Sequence, residues 1–126
     1  MQRSIVIVGA GPAGMAAAIE AVARNCRVTV LDEAARPGGQ IYRQAHASLP
    51  GGEFAEAGEK ARKDRLLRRF DEIRPRIEYR SGTVAYAAYG NGEVHVAAHG
   101  RTERLKPDAV ILATGVRELA IPFPGW

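Results

Sequence analysis

The sequence predicts an α/β fold: a parallel sheet with helices and an antiparallel β-meander, incomplete at the C-terminal side. Three observations predict it. Short all-apolar runs, "IVIV" at 5–8 and the core of "DAVILATG" at 108–115, are separated by longer periodic segments. That is the pattern of strands buried on both faces and connected by helices. The first run leads directly into Gly9-Ala10-Gly11-Pro12-Ala13-Gly14, a G-x-G-x-x-G between a strand and a helix. Downstream, "TVAYAAYGNGEVHVAAHGRTERLK" alternates in character and is punctuated by Gly90-Asn91-Gly92 and by Gly100, the signals of a hairpin and a second tight turn.

Taken in order, residues 5–8 form the first strand, and 13–24 form a helix with small residues where it must lie close to a sheet. Asn25 is placed to end that helix, and residues 27–32 form a second apolar strand. The Pro-Gly-Gly clusters in "EAARPGGQIYRQAHASLPGGE" mark loops. Phe54, Ala57, Ala61, Leu66, Phe70 and Ile73 then fall near helical spacing, and Pro75 closes that amphipathic helix. A third parallel strand is expected over 77–79, the three-stranded meander follows, and the strand of "DAVILATG" ends at Gly115. The tail "VRELAIPFPGW" has no periodicity. Residues 1–116 are therefore expected to form one domain, and 117–126 a connector to a further domain.

Composition narrows the classes. A chain of 126 residues, 46% hydrophobic and 25% charged, is of the size and balance of one globular domain. It has no apolar run of the roughly 18 to 20 residues that span a bilayer, and from the opening "MQRSIVIV" no secretory signal is expected. The single cysteine, Cys26, forms no intrachain disulfide and no paired-thiol metal site, so a reducing cytoplasm is the expected compartment. Much of the basic excess behind the net charge of +4 lies in "EKARKDRLLRRFDEIRPR", residues 59–76. Glu59, Asp64, Asp71 and Glu72 interleave it, and no nucleic-acid module accompanies it, so a solvated helix face is expected, with a subunit contact or an anionic ligand as the alternative and no nucleic-acid partner.

The glycine motif has a division of labour. Gly9 allows the tight turn, Gly11 lets backbone approach a pyrophosphate, and Gly14 lets helix and strand pack closely. The helix start offers unpaired N–H groups and a partial positive charge to phosphates. Asp32, eighteen positions after Gly14 and at the end of the second strand, is placed to accept hydrogen bonds from ribose hydroxyls. An acid there disfavours a 2′-phosphate, which leaves FAD and NAD as candidates. This is the Rossmann-like FAD/NAD(P)-binding arrangement.

Two further stretches carry a resemblance. Ala113-Thr114-Gly115 closes a buried strand reached through a meander, and "PGGQIYR" at 37–43 follows the ribose acid. Together with the glycine motif these resemble the two-dinucleotide-binding-domain flavoproteins, the second stretch being similar to the Gly-Gly-Gln loop of thioredoxin-reductase-like enzymes. With "LDEAARPGGQIYR" and "ILATGVRELAIPFPGW" the chain is more specifically similar to the flavoprotein alpha subunits of the amine dehydrogenases. That group includes the alpha-type chains of opine oxidase and of hydrogen cyanide synthase, and proline or hydroxyproline dehydrogenase alpha subunits.

The resemblance implies FAD, an amino or imino acid or opine-type substrate, and a second flavoprotein subunit. It also implies site residues. Gly9, Gly11, Pro12, Ala13 and Gly14 would cradle the pyrophosphate, and Asp32, with Glu33 beside it, would bind the adenosine ribose. Gly39, Gln40 and Arg43 would approach the pyrophosphate or ribityl chain. Val84 would meet the adenine through its backbone, and Ala113, Thr114 and Gly115 would pass close to the cofactor. Such subunits are longer, so the chain is expected to be an N-terminal portion that retains FAD weakly or not at all and is inactive alone. The alternatives are an NAD(P)H-dependent flavoprotein reductase of the thioredoxin or ferredoxin type, with its nicotinamide domain elsewhere, and a non-catalytic nucleotide-binding module.

No residue stands out as a catalytic acid or base, so the catalytic residues stay unassigned, and no metal site is expected. Cys26 has no partner thiol. His95 and His99 are expected on one strand face, about 13 Å apart, too far to share an ion. His46 is expected in solvent, and Tyr42 packing over its loop.

Overall fold

The computed structural model describes residues 1–42, 57–116 and 122. Its elements are β1 (Ser4–Val8), α1 (Pro12–Ala23), β2 (Arg27–Leu31), α2 (Ala57–Ile73), a 3-10 turn (Arg74–Arg76), β3 (Glu78–Arg80), β4 (Val84–Ala88), β5 (Val94–Ala98), β6 (Arg101–Leu105) and β7 (Ala109–Leu112). A four-stranded sheet has the order β3-β2-β1-β7, all parallel, and a separate three-stranded antiparallel sheet has the order β4-β5-β6. The chain therefore builds outward from β1 to β2 and β3, then returns through the meander to add β7 on the other side. That reversal creates a crevice at the carboxyl ends of β1 and β7, where α/β sheets bind ligands.

Alternation along the central strands explains the three layers. Ile7, Val28 and Val30 point to one face, where they join Met15, Ala18, Ile19 and Val22 of α1 and Phe70 of α2 in one core. Val6, Val8 and Leu31 point to the other, where they meet Val94 and Val96 of the meander. Both faces of β1 are covered, as its unbroken apolar run requires. The meander is thus a lid on the sheet, facing away from the helices.

Local chemistry sets the element ends. Pro12 stands at the first helical position, where its missing N–H costs nothing. The same helix ends in a Schellman arrangement: Asn25 at φ 58° donates its N–H to Val22 O, and Cys26 donates to Ala21 O, each at 3.0 Å. Gly92 at φ 81° completes the Gly90-Asn91-Gly92 loop, with its N–H on Tyr89 O at 2.9 Å. The next turn places both His99 (φ 51°) and Gly100 (φ 73°) in left-handed backbone, the type I′ geometry of a two-residue hairpin.

That turn corrects one expectation. His99 does not share a strand face with His95, because β5 stops at Ala98 and His99 is a turn residue. The third parallel strand also lies one residue later than expected, and Phe54, Arg43, His46 and the segments 117–121 and 123–126 lie outside the described residues.

Candidate functional site

Four segments converge on a groove of about 1000 Å³ at the carboxyl ends of the parallel strands. They are the glycine turn 9–13, the stretch 32–37 after β2, Gly39 to Ile41, and residues 112–116 leaving β7.

The glycines divide by the reason for them. A side chain on Gly9, at φ 103°, would collide with the Ala113 carbonyl, and one on Gly14 would collide with the Gly9 carbonyl. Both are needed so that β1, α1 and β7 can approach one another. Gly11 differs: a Cβ there would meet only the Gly39 Cα, at an ordinary 3.8 Å. The fold itself has room for a side chain at 11, and the groove that this room opens into is what a Cβ would fill.

The Pro-Gly-Gly loop is fastened against this turn. Gly38 donates its N–H to Ala10 O at 2.8 Å, and Gly39 at φ 60° brings its backbone against Gly11. No side chain caps α1, and its first turn holds no acid, so its N-terminal N–H groups and the positive end of its dipole face the groove unneutralised by a carboxylate of their own.

Asp32 is the charged counterpart. Its backbone is fixed on both sides, donating to Arg80 O at 3.0 Å and accepting from the Thr83 N–H at 2.9 Å. The residue is 8% exposed, and its Oδ1 accepts the Ala34 N–H at 3.1 Å. Oδ2 is buried without a hydrogen-bond partner among the described residues. Burial pushes the Asp32 carboxyl above its ordinary range, against the pull of the Ala34 and Ala10 amides. A buried carboxylate oxygen lacking a donor at a groove wall suits a ligand that brings hydroxyl groups.

The sequence-derived residues therefore gather well. Gly9, Gly11, Pro12, Ala13, Asp32, Glu33, Gly39, Gln40, Ala113, Thr114 and Gly115 all line the groove. Gly14 lies behind it, packed on Gly9. Val84 lines an adjoining recess of about 170 Å³, which shares Gly9, Asp32, Glu33 and Thr114 with the groove, and is half-exposed. Arg43 lies outside the described residues. Sequence reasoning missed Arg36, Ile41, Leu112 and Val116. Arg36 adds a cation to the wall, and the three apolar residues stay 67% to 86% exposed, giving the groove an apolar margin. Only the position of Arg36, four residues after Asp32, could have signalled it.

Among the described residues, the discounted side chains stay outside the groove. Tyr42 packs against the helix-side core, as does half-buried Cys26. His95 hydrogen-bonds Glu93 at 2.5 Å, with Tyr86 and Tyr89 edge-on to its ring. Tyr79 also hides an unpartnered hydroxyl, pushed up to about 12 mainly by burial, but it lies beneath α2 and not on the groove. Among the described residues no group of three or more His, Cys, Asp and Glu side chains is arranged to hold a metal, and no helix is long and apolar enough to cross a membrane.

Comparison with known proteins agrees with this geometry. The family model of the pyridine nucleotide-disulphide oxidoreductases matches residues 3–126. The chain is 39% identical over 130 residues to an opine oxidase subunit of Rhizobium meliloti, covering 97% of this chain and 24% of that protein. It is 34% identical over 126 residues to the hydrogen cyanide synthase subunit HcnB of Pseudomonas aeruginosa, covering 96% and 26%. The chain thus spans about a quarter of the length of these relatives. In structure it is similar to the bacillithiol disulfide reductase of Staphylococcus aureus, with a TM-score of 0.64 at 17% identity, over 91% of this chain and 29% of that one.

Proposed function

The chain belongs to the pyridine nucleotide-disulphide oxidoreductase family, and from that premise we propose that its groove binds FAD as the cofactor-holding part of a flavin-dependent oxidoreductase. The observation that carries the reading is the unpartnered, buried Oδ2 of Asp32 on the same groove as the open space at Gly11. The first accepts ribose hydroxyls, and the second admits a pyrophosphate against the start of α1. The apolar margin from Ile41, Leu112 and Val116 offers a wall to a flat ring system. Bound flavin supplies the electron-accepting chemistry; this chain's residues bind and orient it.

The oxidoreductase whose cofactor this chain holds oxidises an amino or imino acid, or an opine-type amine, together with a partner subunit, in the reducing cytoplasm that a single-cysteine chain suits. Two curated relatives support this choice, one from an opine oxidase and the other from a hydrogen cyanide synthase.

Calorimetric titration of the chain tests the cofactor. FAD and ADP should bind, and 2′-phosphorylated ADP should bind at least tenfold more weakly. Equal affinity for the 2′-phosphate would overturn the role given to Asp32. Dye reduction by the intact enzyme tests the chemistry: an amino or imino acid should drive it, and NADPH alone should not.

A further inference from the structure

The cationic side of α2 is not absorbed by the groove. At 100° per residue Arg62, Arg65 and Arg69 fall within a sector of about 60°, one turn apart along the helix. All three are exposed, on the flank beside the side of the helix that buries Phe70 and packs Leu66, Leu67 and Ile73 against the core. Asp64 and Asp71 project about 100° or more away from this sector by the same geometry. The acids that border it, Glu59 and Glu72, lie three residues from Arg62 and Arg69 but form no ion pair with them within 4.0 Å among the described residues.

Arg65 is the most frustrated. Its neighbours three and four residues away on the helix are Ala61, Arg62, Arg68 and Arg69, so every charged one is an arginine. Like charges at this spacing weaken a helix, and a sequence that keeps them against local preference keeps them for something outside the helix. The choice of arginine over lysine at all three points adds to this, since a guanidinium is built for two-point contact with a carboxylate and is enriched at protein interfaces.

We propose that the flank of α2 formed by Arg62, Arg65 and Arg69 docks a protein partner that presents carboxylates one helical turn apart. The row runs only about 10 Å along the helix, and no aromatic side chain interleaves it for base stacking. The chain's own net charge of +4 disfavours a second copy as the occupant. The inference is independent of what the groove binds.

A labelled alanine-rich helical peptide with glutamates at i, i+3 and i+7 on one face is the probe, titrated against the 126-residue chain by fluorescence anisotropy. The triple variant R62E/R65E/R69E should bind it at least tenfold more weakly than wild type. The triple R101E/R104E/K106E, an equal change of charge on and beside β6, should stay within twofold. R65E alone should weaken binding while leaving the thermal midpoint unchanged or higher, which separates lost docking from lost folding. Equal loss in both triples would reduce the effect to bulk charge and overturn the proposal. So would tighter binding of a 20-base-pair DNA duplex through the same arginines, or no binding of the peptide at all.

Discussion

Gly9 and Gly11 stand two residues apart in one motif, yet the fold requires only the first for its own packing. Gly9→Ala sets a Cβ against the Ala113 carbonyl in left-handed backbone and should cost about 2 kcal/mol or more. Gly11→Ala should leave the denaturation midpoint within about 0.5 kcal/mol of wild type while ADP or FAD affinity in calorimetry falls about tenfold. If both variants unfold alike, Gly11 has a packing role and its link to the ligand fails. The spacing of the motif made these positions legible in the sequence, including the division that gives Gly9 to the turn and Gly11 to the groove; the atoms that enforce it, the Ala113 carbonyl and the Gly39 backbone, were not, because they come close only in the folded chain. Asp32 is separable in the same way. Asp32→Asn should weaken ADP about 10- to 100-fold, the worth of a charge-assisted hydrogen bond. Its stability effect has a definite sign. The folded carboxyl sits above its ordinary value of 3.8, so its contribution is fully present below that value and is lost as pH rises through the raised one. The ligand-free variant should therefore gain on wild type as pH rises across that window in chemical denaturation.

Asn25 shows at the scale of an element how much of a boundary the local sequence encodes. An Asn after an apolar helix and before an apolar strand pointed to a stop, and the structure gives it φ 58° with both Schellman bonds in place. Asn25→Gly should be close to neutral, and Asn25→Ala should cost about 1 kcal/mol, because a Cβ opposes left-handed backbone. Equal midpoints for the two would contradict the left-handed stop. The hairpin at 99–100 was only half legible. Gly100 signalled the turn, but a type I′ turn needs a second left-handed residue, and His99 supplies it in place of the more usual Asn. A histidine carries no turn signal by itself, so it reads as strand until the hydrogen-bonded ladder fixes where β5 stops. The same non-local pairing settles β3, whose register is set by Thr29, Val30 and Leu31 opposite Glu78, Tyr79 and Arg80.

Across the whole molecule, the sequence separated parallel from antiparallel texture but not the side of the sheet that the meander covers. Val94 and Val96 carry that information only jointly with Val6, Val8 and Leu31, residues from the other end of the chain. Each layer should fail separately. Phe70→Ala, which removes the one fully buried aromatic between α2 and the sheet among the described residues, should cost about 3–5 kcal/mol, with early hydrogen exchange in α2. On the other face an ion pair adds to the apolar contact of Val94 and Val96 with Val6, Val8 and Leu31. Arg80, at the end of β3, reaches Glu78 in its own strand and Glu103 on β6, each at 2.7 Å. The carboxylates are about half exposed, so solvent limits the pair to at most about 1 kcal/mol. The Arg80 guanidinium is the main reason Glu78 lies below its ordinary value of 4.5. A depressed carboxyl contributes stability above the unfolded value and loses it as pH falls through the folded one. Arg80→Met should therefore lower stability near neutrality and flatten the fall in stability below about pH 4.5, the variant and wild-type curves converging in acid. Curves that stay parallel down to about pH 2, well below the folded value, would mean that Arg80 joins the two sheets by packing alone.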